Sequence, residues 1–298
     1  MTTEAGRDQW AAWLAERRHA GDPEEFRRQL EFLAPIRDRV LANAALAPGK
    51  RVLDVGCGDG LIAFAAAEAV GPSGSVIFSD VSADLLNRCQ AMAADAGLLD
   101  RSRFVQAPAR DLSPIEDATV DAVTLRSVLI YEADKASAFA EFRRVLRPGG
   151  RLSLFEPVNR FAFPEPPDRF SGYDVAAVID LAATVKAVYE TIQPPGSDPM
   201  LDFDERDLVA QAERAGFEEV HLHLEIDINH LEPRPWDVAL NSSGNPRIPT
   251  LAEAMDQALT PGETERLTAH LRPLVEQGDG WRRMAVAYLW AVRGPIPG

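Results

Sequence analysis

Apolar residues recur along this chain with two different periods. Between Gln9 and Leu46 the spacing is helical, first at Trp10, Trp13 and Leu14, then at Phe26, Leu30, Leu33, Ile36, Val40 and Leu41. Gly21-Asp22-Pro23 divides the two runs, with Asp22 placed as an N-cap and Pro23 at the first helical position. From Arg51 onward, short apolar runs alternate with amphipathic ones. Arg51–Val55, Ser75–Ser79, a run opening at Phe104-Val105, Val120–Leu125 and Arg151–Phe155 predict strands. Leu61–Val70, a stretch capped by Ser82 and Lys135–Leu146 predict the helices between them. The Ser82 helix carries Leu85, Leu86, Cys89, Met92 and Ala93 on one face and ends at Gly97. Strands separated by helices of this length imply right-handed crossovers and a parallel sheet covered on both faces.

Beyond Glu156-Pro157 the pattern loosens. Residues 159–199 hold aromatic residues among many prolines and predict a partly helical insertion. Helices are expected at Glu205–Ala215, Leu251–Leu259 and Glu263–Val275. Glu219–Ile226 alternates as a half-buried strand, with Val220, Leu222, Leu224 and Ile226 on one side and His221 and His223 on the other. Arg283–Val292 is apolar on both sides and follows its helix closely, which predicts a buried last strand antiparallel to the rest of a seven-stranded sheet. The expected division is an N-terminal helical cover over residues 1–48 and a core over residues 49–298, with insertions at about 159–200 and 230–280.

Composition narrows the function classes. A net charge of −15 disfavours a nucleic-acid phosphate backbone or an anionic membrane as partner. Two cysteines, Cys57 and Cys89, are too few for a disulfide framework or a cysteine-rich metal site, so no metal is expected. The start of the chain, Met1 to Trp10, lacks a basic stretch followed by an apolar run, and a cytoplasmic protein is expected.

The most informative segment is Val52-Leu53-Asp54-Val55-Gly56-Cys57-Gly58-Asp59-Gly60, a strand leading through a glycine-rich turn into a helix. Glycines there allow positive φ and close backbone approach to a ligand. A dinucleotide site favours Gly-x-Gly-x-x-Gly, whereas this turn reads Gly-x-Gly-x-Gly behind an acidic residue. The Asp54 carboxylate opposes a pyrophosphate and suits an ammonium. Asp80, at the end of the next strand, can accept both hydroxyls of a ribose.

On these residues the chain resembles the class I S-adenosylmethionine-dependent methyltransferases, in particular a small-molecule branch similar to the quinone-biosynthesis enzymes. The resemblance runs from Gly49 to about Pro157. It includes Leu146-Arg147-Pro148-Gly149-Gly150, which matches the turn before the fifth strand. It implies a Rossmann-like, doubly wound α/β sheet and S-adenosyl-L-methionine as cofactor. It also implies a cofactor site formed by Asp54, Gly56, Cys57, Gly58, Asp80, Val81, Ala109, Arg110, Asp111, Arg126 and Ser127. One departure concerns adenine. The branch has Gly-Asp-Ala where this chain has Ala107-Pro108-Ala109, so Asp111 or the backbone of Ala109 and Arg110 must serve instead. Arg126 could meet the cofactor carboxylate or an acidic substrate.

Methyl transfer needs a base only if the nucleophile must lose a proton. Among Glu156, His221, His223, His230, Tyr131 and Tyr173, the expected candidates are Glu156 and His230, both placed by the pattern at the mouth of the sheet. Tyr131, Phe163 and Tyr173 are the expected substrate-lining residues. The reaction expected is transfer to an oxygen, nitrogen or carbon of a small organic molecule. The alternatives are a cofactor-binding protein without transferase activity and a nicotinamide-dependent oxidoreductase, which the glycine spacing disfavours.

Overall fold

A computed structural model describes residues 8–295; residues 1–7, on which most of the reading of the chain's start rests, lie outside them. A short helix, α1 (Gln9–Ala12), runs into a wider π-helical turn over Trp13–Arg17. Helix α2 (Pro23–Asn43) follows, with the Asp22 carboxylate accepting the Glu25 N–H at 2.8 Å.

The core alternates β1 (Arg51–Val55), α3 (Leu61–Ala69), β2 (Ser75–Asp80), α4 (Ala83–Asp95), β3 (Ser102–Gln106), β4 (Val120–Arg126), α5 (Lys135–Val145) and β5 (Leu146–Pro157). The insertion carries a two-stranded ribbon of β6 (Arg169–Phe170) and β7 (Tyr173–Asp174), then α6 (Ile179–Ile192). The chain returns through α7 (Glu205–Arg214) to β8 (Phe217–His230). It then adds α8 (Trp236–Asn241), α9 (Leu251–Ala258) and α10 (Pro261–Gln277), and closes with β9 (Trp281–Arg293).

The sheet order is β3-β2-β1-β4-β5-β9-β8. Strands β1 to β5 pair in parallel, and β9 is antiparallel to both β5 and β8. This is the doubly wound, seven-stranded arrangement with one reversed strand. Side chains alternate between its faces. Val52, Val76 and Phe78 pack with Ala63, Ala66 and Cys89 from α3 and α4, while Leu53, Ile77 and Leu125 pack with Phe139 and Phe142 from α5 and Leu208 from α7. A third cluster lies outside the sheet and joins the ribbon to α6, α8, α9 and α10 through Phe170, Leu181, Trp236 and Leu267. That cluster is the core of the cover.

Several local expectations need correction. Phe26, Leu30 and Met92 are exposed, because α2 and α4 turn only Leu33, Ile36 and Val40, and Leu85, Leu86, Cys89 and Ala93, toward the core. Pairing of β5 starts at Leu146, so Pro148-Gly149-Gly150 forms an irregularity inside the strand rather than a break before it. Strand β8 runs four residues past Ile226 and pairs with β9 as far as His230 opposite Trp281. Ile226 itself is exposed, as one side of an edge strand can be. Among the described residues no helix is long and apolar enough to cross a membrane.

Phe78 is fully buried between Phe64 (ring centroids 5.2 Å apart) and Phe104 (4.9 Å), and joins β2 to α3 and β3. Phe78→Ala is expected to cost about 3–5 kcal/mol of stability, the usual range for truncating a buried phenylalanine. Equilibrium urea unfolding measures it.

Candidate active site

Strand β1 ends at Val55, and the turn behind it is possible only for particular residues. Gly56, Gly58 and Gly60 take φ of +63°, +55° and +84°, where side chains are strained. A Cβ on Gly56 would lie 2.5 Å from Val128 Cγ2, and one on Gly60 would lie 2.5 Å from the Phe64 ring. The Cys57 N–H donates to the Ser79 carbonyl at 2.9 Å, tying the turn to β2. Asp80 completes the join. Its carboxylate accepts the Gly58 N–H and the Ser82 N–H, each at 2.9 Å, and burial raises its pKa above the usual carboxylate value.

A cavity of about 610 Å³ opens above this turn, at the carboxyl edge of the sheet. Gly56, Gly58, Asp80, Val81, Ala109 and Arg110 lie on its wall. Arg126, Ser127 and Tyr131 close it from the β4 side. A second chamber of about 600 Å³ lies beside it, and Asn159, Met200, Arg234 and Ser243 border both. Phe163 and Tyr173 line this second chamber, not the first, together with Phe170, Tyr189 and Leu231.

Other expected site residues stand elsewhere. Asp54 lies behind the turn, fully buried, with its carboxylate accepting the Thr124 hydroxyl at 2.8 Å. Burial raises its pKa to about 7, against the opposing effects of that bond and of Arg126. Cys57 also faces away from the cavity, and its thiol is raised by the hydrogen bond with Cys89 and by burial. Asp111 is exposed and off the wall, and its carboxylate accepts the Ser113 N–H at 3.1 Å.

Neither expected base faces the cavity. His230 is an exposed strand residue whose ring lies tilted against Trp281 (centroids 3.9 Å apart) and borders neither chamber, because β8 extends past the mouth. Glu156 is fully buried. Its carboxylate accepts the N–H groups of Val128 and Leu129 at 2.9 Å and of Ile130 at 3.2 Å. Burial raises its pKa to about 7 despite those three bonds. Its observed role is to fix the loop after β4, where Ser127 holds a φ of +55° and Val128 packs over Gly56. Burial likewise pushes the Tyr131 phenol up to about 12.

The segment from Val52 to Gly150 matches the family model of a methyltransferase domain. The nocamycin O-methyltransferase of Saccharothrix syringae is 34% identical over 207 residues, which are 67% of this chain and 70% of that enzyme. The chain belongs to the S-adenosylmethionine-dependent methyltransferases. The ubiquinone/menaquinone biosynthesis C-methyltransferase UbiE of Hahella chejuensis is 39% identical over 127 residues, 43% of this chain and 49% of that one. The chain spans under half the length of the first curated relatives it matches. A solved geranyl diphosphate methyltransferase superposes with a TM-score of 0.52 at 20% identity, over 92% of this chain and 93% of that one, a likeness of fold.

The N-terminal segment also reaches the cavity. Leu14 and Arg18, which had not been expected there, line it beside Trp10, an aromatic residue of the expected cover, and their spacing of four was a usable sign of one helical face. Trp13 anchors that segment, its indole N–H donating to the Ser243 carbonyl at 2.9 Å. Arg234, Ser243 and Arg247 had no sequence sign at all, since the cover's packing alone brings them to the cavity.

The geometry of Glu156 yields a prediction. In Glu156→Gln one end of the side chain becomes a donor facing a backbone donor, so the loop loses acceptors in a buried place. About 1–3 kcal/mol of stability should go, with weaker cofactor binding. The pH profile of turnover should keep its shape, whereas loss of a general base would remove one limb. Denaturation and pH–rate profiles measure the two effects.

Proposed function

We propose that the chain transfers the methyl group of S-adenosylmethionine to an oxygen, nitrogen or carbon of a small organic molecule. The observation that supports this most directly is the adjacency of two chambers that share wall residues, one above the glycine turn and one apolar chamber inside the cover.

The residues present suit the cofactor. Gly56 and Gly58 leave room where side chains would stand. Asp80 presents a carboxylate on the wall for ribose hydroxyls, and Arg126 presents a guanidinium for the methionine carboxylate. Val81, Leu85 and Pro108 offer an apolar slot for a purine, with the backbone of Ala109 and Arg110 at its edge. The cofactor supplies an activated methyl group on a sulfonium. The chain's part is alignment and exclusion of water. Trp10, Trp13 and Tyr131 screen the first chamber, and the aromatic side chains of the second hold an apolar acceptor.

Proton removal is a minor part of this reading. Among the described residues no histidine lines either chamber. Of the two carboxylates on the cofactor cavity wall, Asp80 is engaged by backbone N–H groups and Glu132 by Arg110 at 3.1 Å. An acceptor whose nucleophile is already ionised, or ionises readily in water, needs no base. A cytoplasmic setting accords with Cys57 and Cys89 being free thiols. The alternative, binding without transfer, has no specific observation in its favour.

Asp80→Ala is expected to weaken S-adenosylmethionine binding by about 1–3 kcal/mol through loss of charged hydrogen bonds. Calorimetry measures this, and mass-spectrometric detection of methylated products in a small-molecule panel tests the reaction. Unchanged affinity would remove Asp80 from the site.

Asp54 yields a pH prediction. Its folded pKa, about 7, lies above the 3.8 of an exposed aspartate. Between these values the folded state keeps a proton that the unfolded state has lost. The cost of burying the carboxylate therefore grows as pH rises through this window and is complete above it. Relative to wild type, Asp54→Asn should gain stability from pH 5 to pH 8, measured by denaturation of the ligand-free proteins.

A further inference from the structure

The wall of the cofactor cavity carries more arginine than acid, in a protein of net charge −15. Five arginines reach its wall, Arg18, Arg110, Arg126, Arg234 and Arg247, against the two acids Asp80 and Glu132. Three of the arginines have partners. Arg110 meets Glu132 at 3.1 Å, Arg234 meets Glu25 at 3.0 Å, and Arg247 donates to the Tyr131 carbonyl at 3.1 Å. Even these are incompletely neutralised, since Glu25 is shared with Arg28 at 3.0 Å and the Nε of both Arg28 and Arg234 is buried without an acceptor.

The guanidinium groups of Arg18 and Arg126 have neither an ion pair nor a hydrogen bond among the described residues. They act on each other. Burial and the neighbouring Arg126 lower the Arg18 pKa to about 10, outweighing the opposite pull of Asp59 and Tyr131. S-adenosylmethionine does not resolve this excess. It has one carboxylate for one guanidinium, and its ammonium and sulfonium bring a net positive charge with them. One guanidinium is thus left for a second anion.

Position separates the two arginines. Arg126 ends β4 beside the glycine turn, and its charge acts on Asp54. Arg18 comes from the N-terminal segment, stands 5.1 Å over the Trp13 ring, and Trp13 is bonded to Ser243, which borders both chambers. We infer that the acceptor substrate is an organic anion, its carboxylate or phosphate held by Arg18 and its apolar body lying in the chamber between Phe163, Tyr173 and Tyr189. This rests on the methyl-transfer reading and specifies its substrate class. A half-buried guanidinium facing such a group forms a charge-assisted, bidentate contact that a neutral head cannot match.

The test uses the whole protein saturated with S-adenosylhomocysteine and three probes with one body: 2-naphthoate, 2-naphthyl phosphate and 2-naphthamide. At least one acid should bind about tenfold more tightly than the amide, and the preferred acid shows which anion the site takes. Arg18→Met should abolish the preference and Arg18→Lys should retain most of it. S-adenosylhomocysteine affinity serves as the control for folding. Equal binding of amide and acids, or no binding of any probe to the loaded protein, would overturn the inference. So would loss of S-adenosylhomocysteine in Arg18→Met, which would assign Arg18 to the cofactor. Failure of the wild-type protein to bind S-adenosylhomocysteine would count instead against the methyltransferase reading.

Discussion

The cofactor cavity depends on one buried carboxylate. Glu156 stands at the end of β5 with no exposure to water and takes three successive backbone N–H groups from the loop after β4. Hydrogen bonds to a charged acceptor are worth more than neutral ones, and an unpaired carboxylate in that position would be very costly. The loop and the carboxylate therefore determine each other. With the loop fixed, Ser127 is held in a left-handed conformation, Val128 lies against Gly56, and Tyr131 faces the cavity. The glycine turn is shaped from the other side by Asp80, which bonds Gly58 and Ser82. Two carboxylates, from β2 and β5, thus shape the floor and one wall through backbone bonds.

Charge is distributed unevenly about this floor. The acids that dominate the composition lie largely on the exterior, while arginines from four separate segments reach the cavity wall, Arg18, Arg126 and Arg234 half-buried and Arg110 and Arg247 exposed. In a partly buried space with few counter-charges, each guanidinium is felt more strongly than on an open surface. A wall with more arginine than acid favours anions over cations, although the net charge of the whole chain is negative. A catalytic base is less needed where the environment itself favours an ionised nucleophile. The absence of histidine from the chamber walls, among the described residues, and the surplus of arginine are consistent with the same chemistry.

The sequence made the sheet and the glycine turn legible because both are local. Val52 to Gly60 carries its own strand, turn and helix start, and the strand–helix rhythm from Arg51 to Pro157 needs no distant partner to be recognised. His230 was misplaced because strand length depends on β9, which pairs with β8 to the end and keeps the residue on the surface. Asp111 was misplaced because a chain position three residues beyond Pro108 says nothing about which way a turn points. Glu156 was located correctly on its strand, but its three donors lie 26 to 28 residues earlier, so its occupation could not be read.

The least legible part was the cover, for a physical reason. Its core forms between helices from two insertions, and its link to the N-terminal segment rests on single long-range contacts. The Trp13 indole reaches Ser243 across 230 residues of sequence, and the Ser243 N–H returns to the Arg17 carbonyl at 2.9 Å. These reciprocal bonds seat Trp10, Leu14 and Arg18 over the cavity. They also lie where the two chambers adjoin, because Ser243 borders both. The segment that carries the unpaired arginine is therefore positioned by the element that forms the apolar chamber. Recognition of an acceptor's charge and of its body is joined in one mechanical unit, separate from the sheet edge that provides the cofactor turn. Changes within the cover can alter the acceptor while Asp80, Gly56 and Glu156 keep the cofactor floor unchanged.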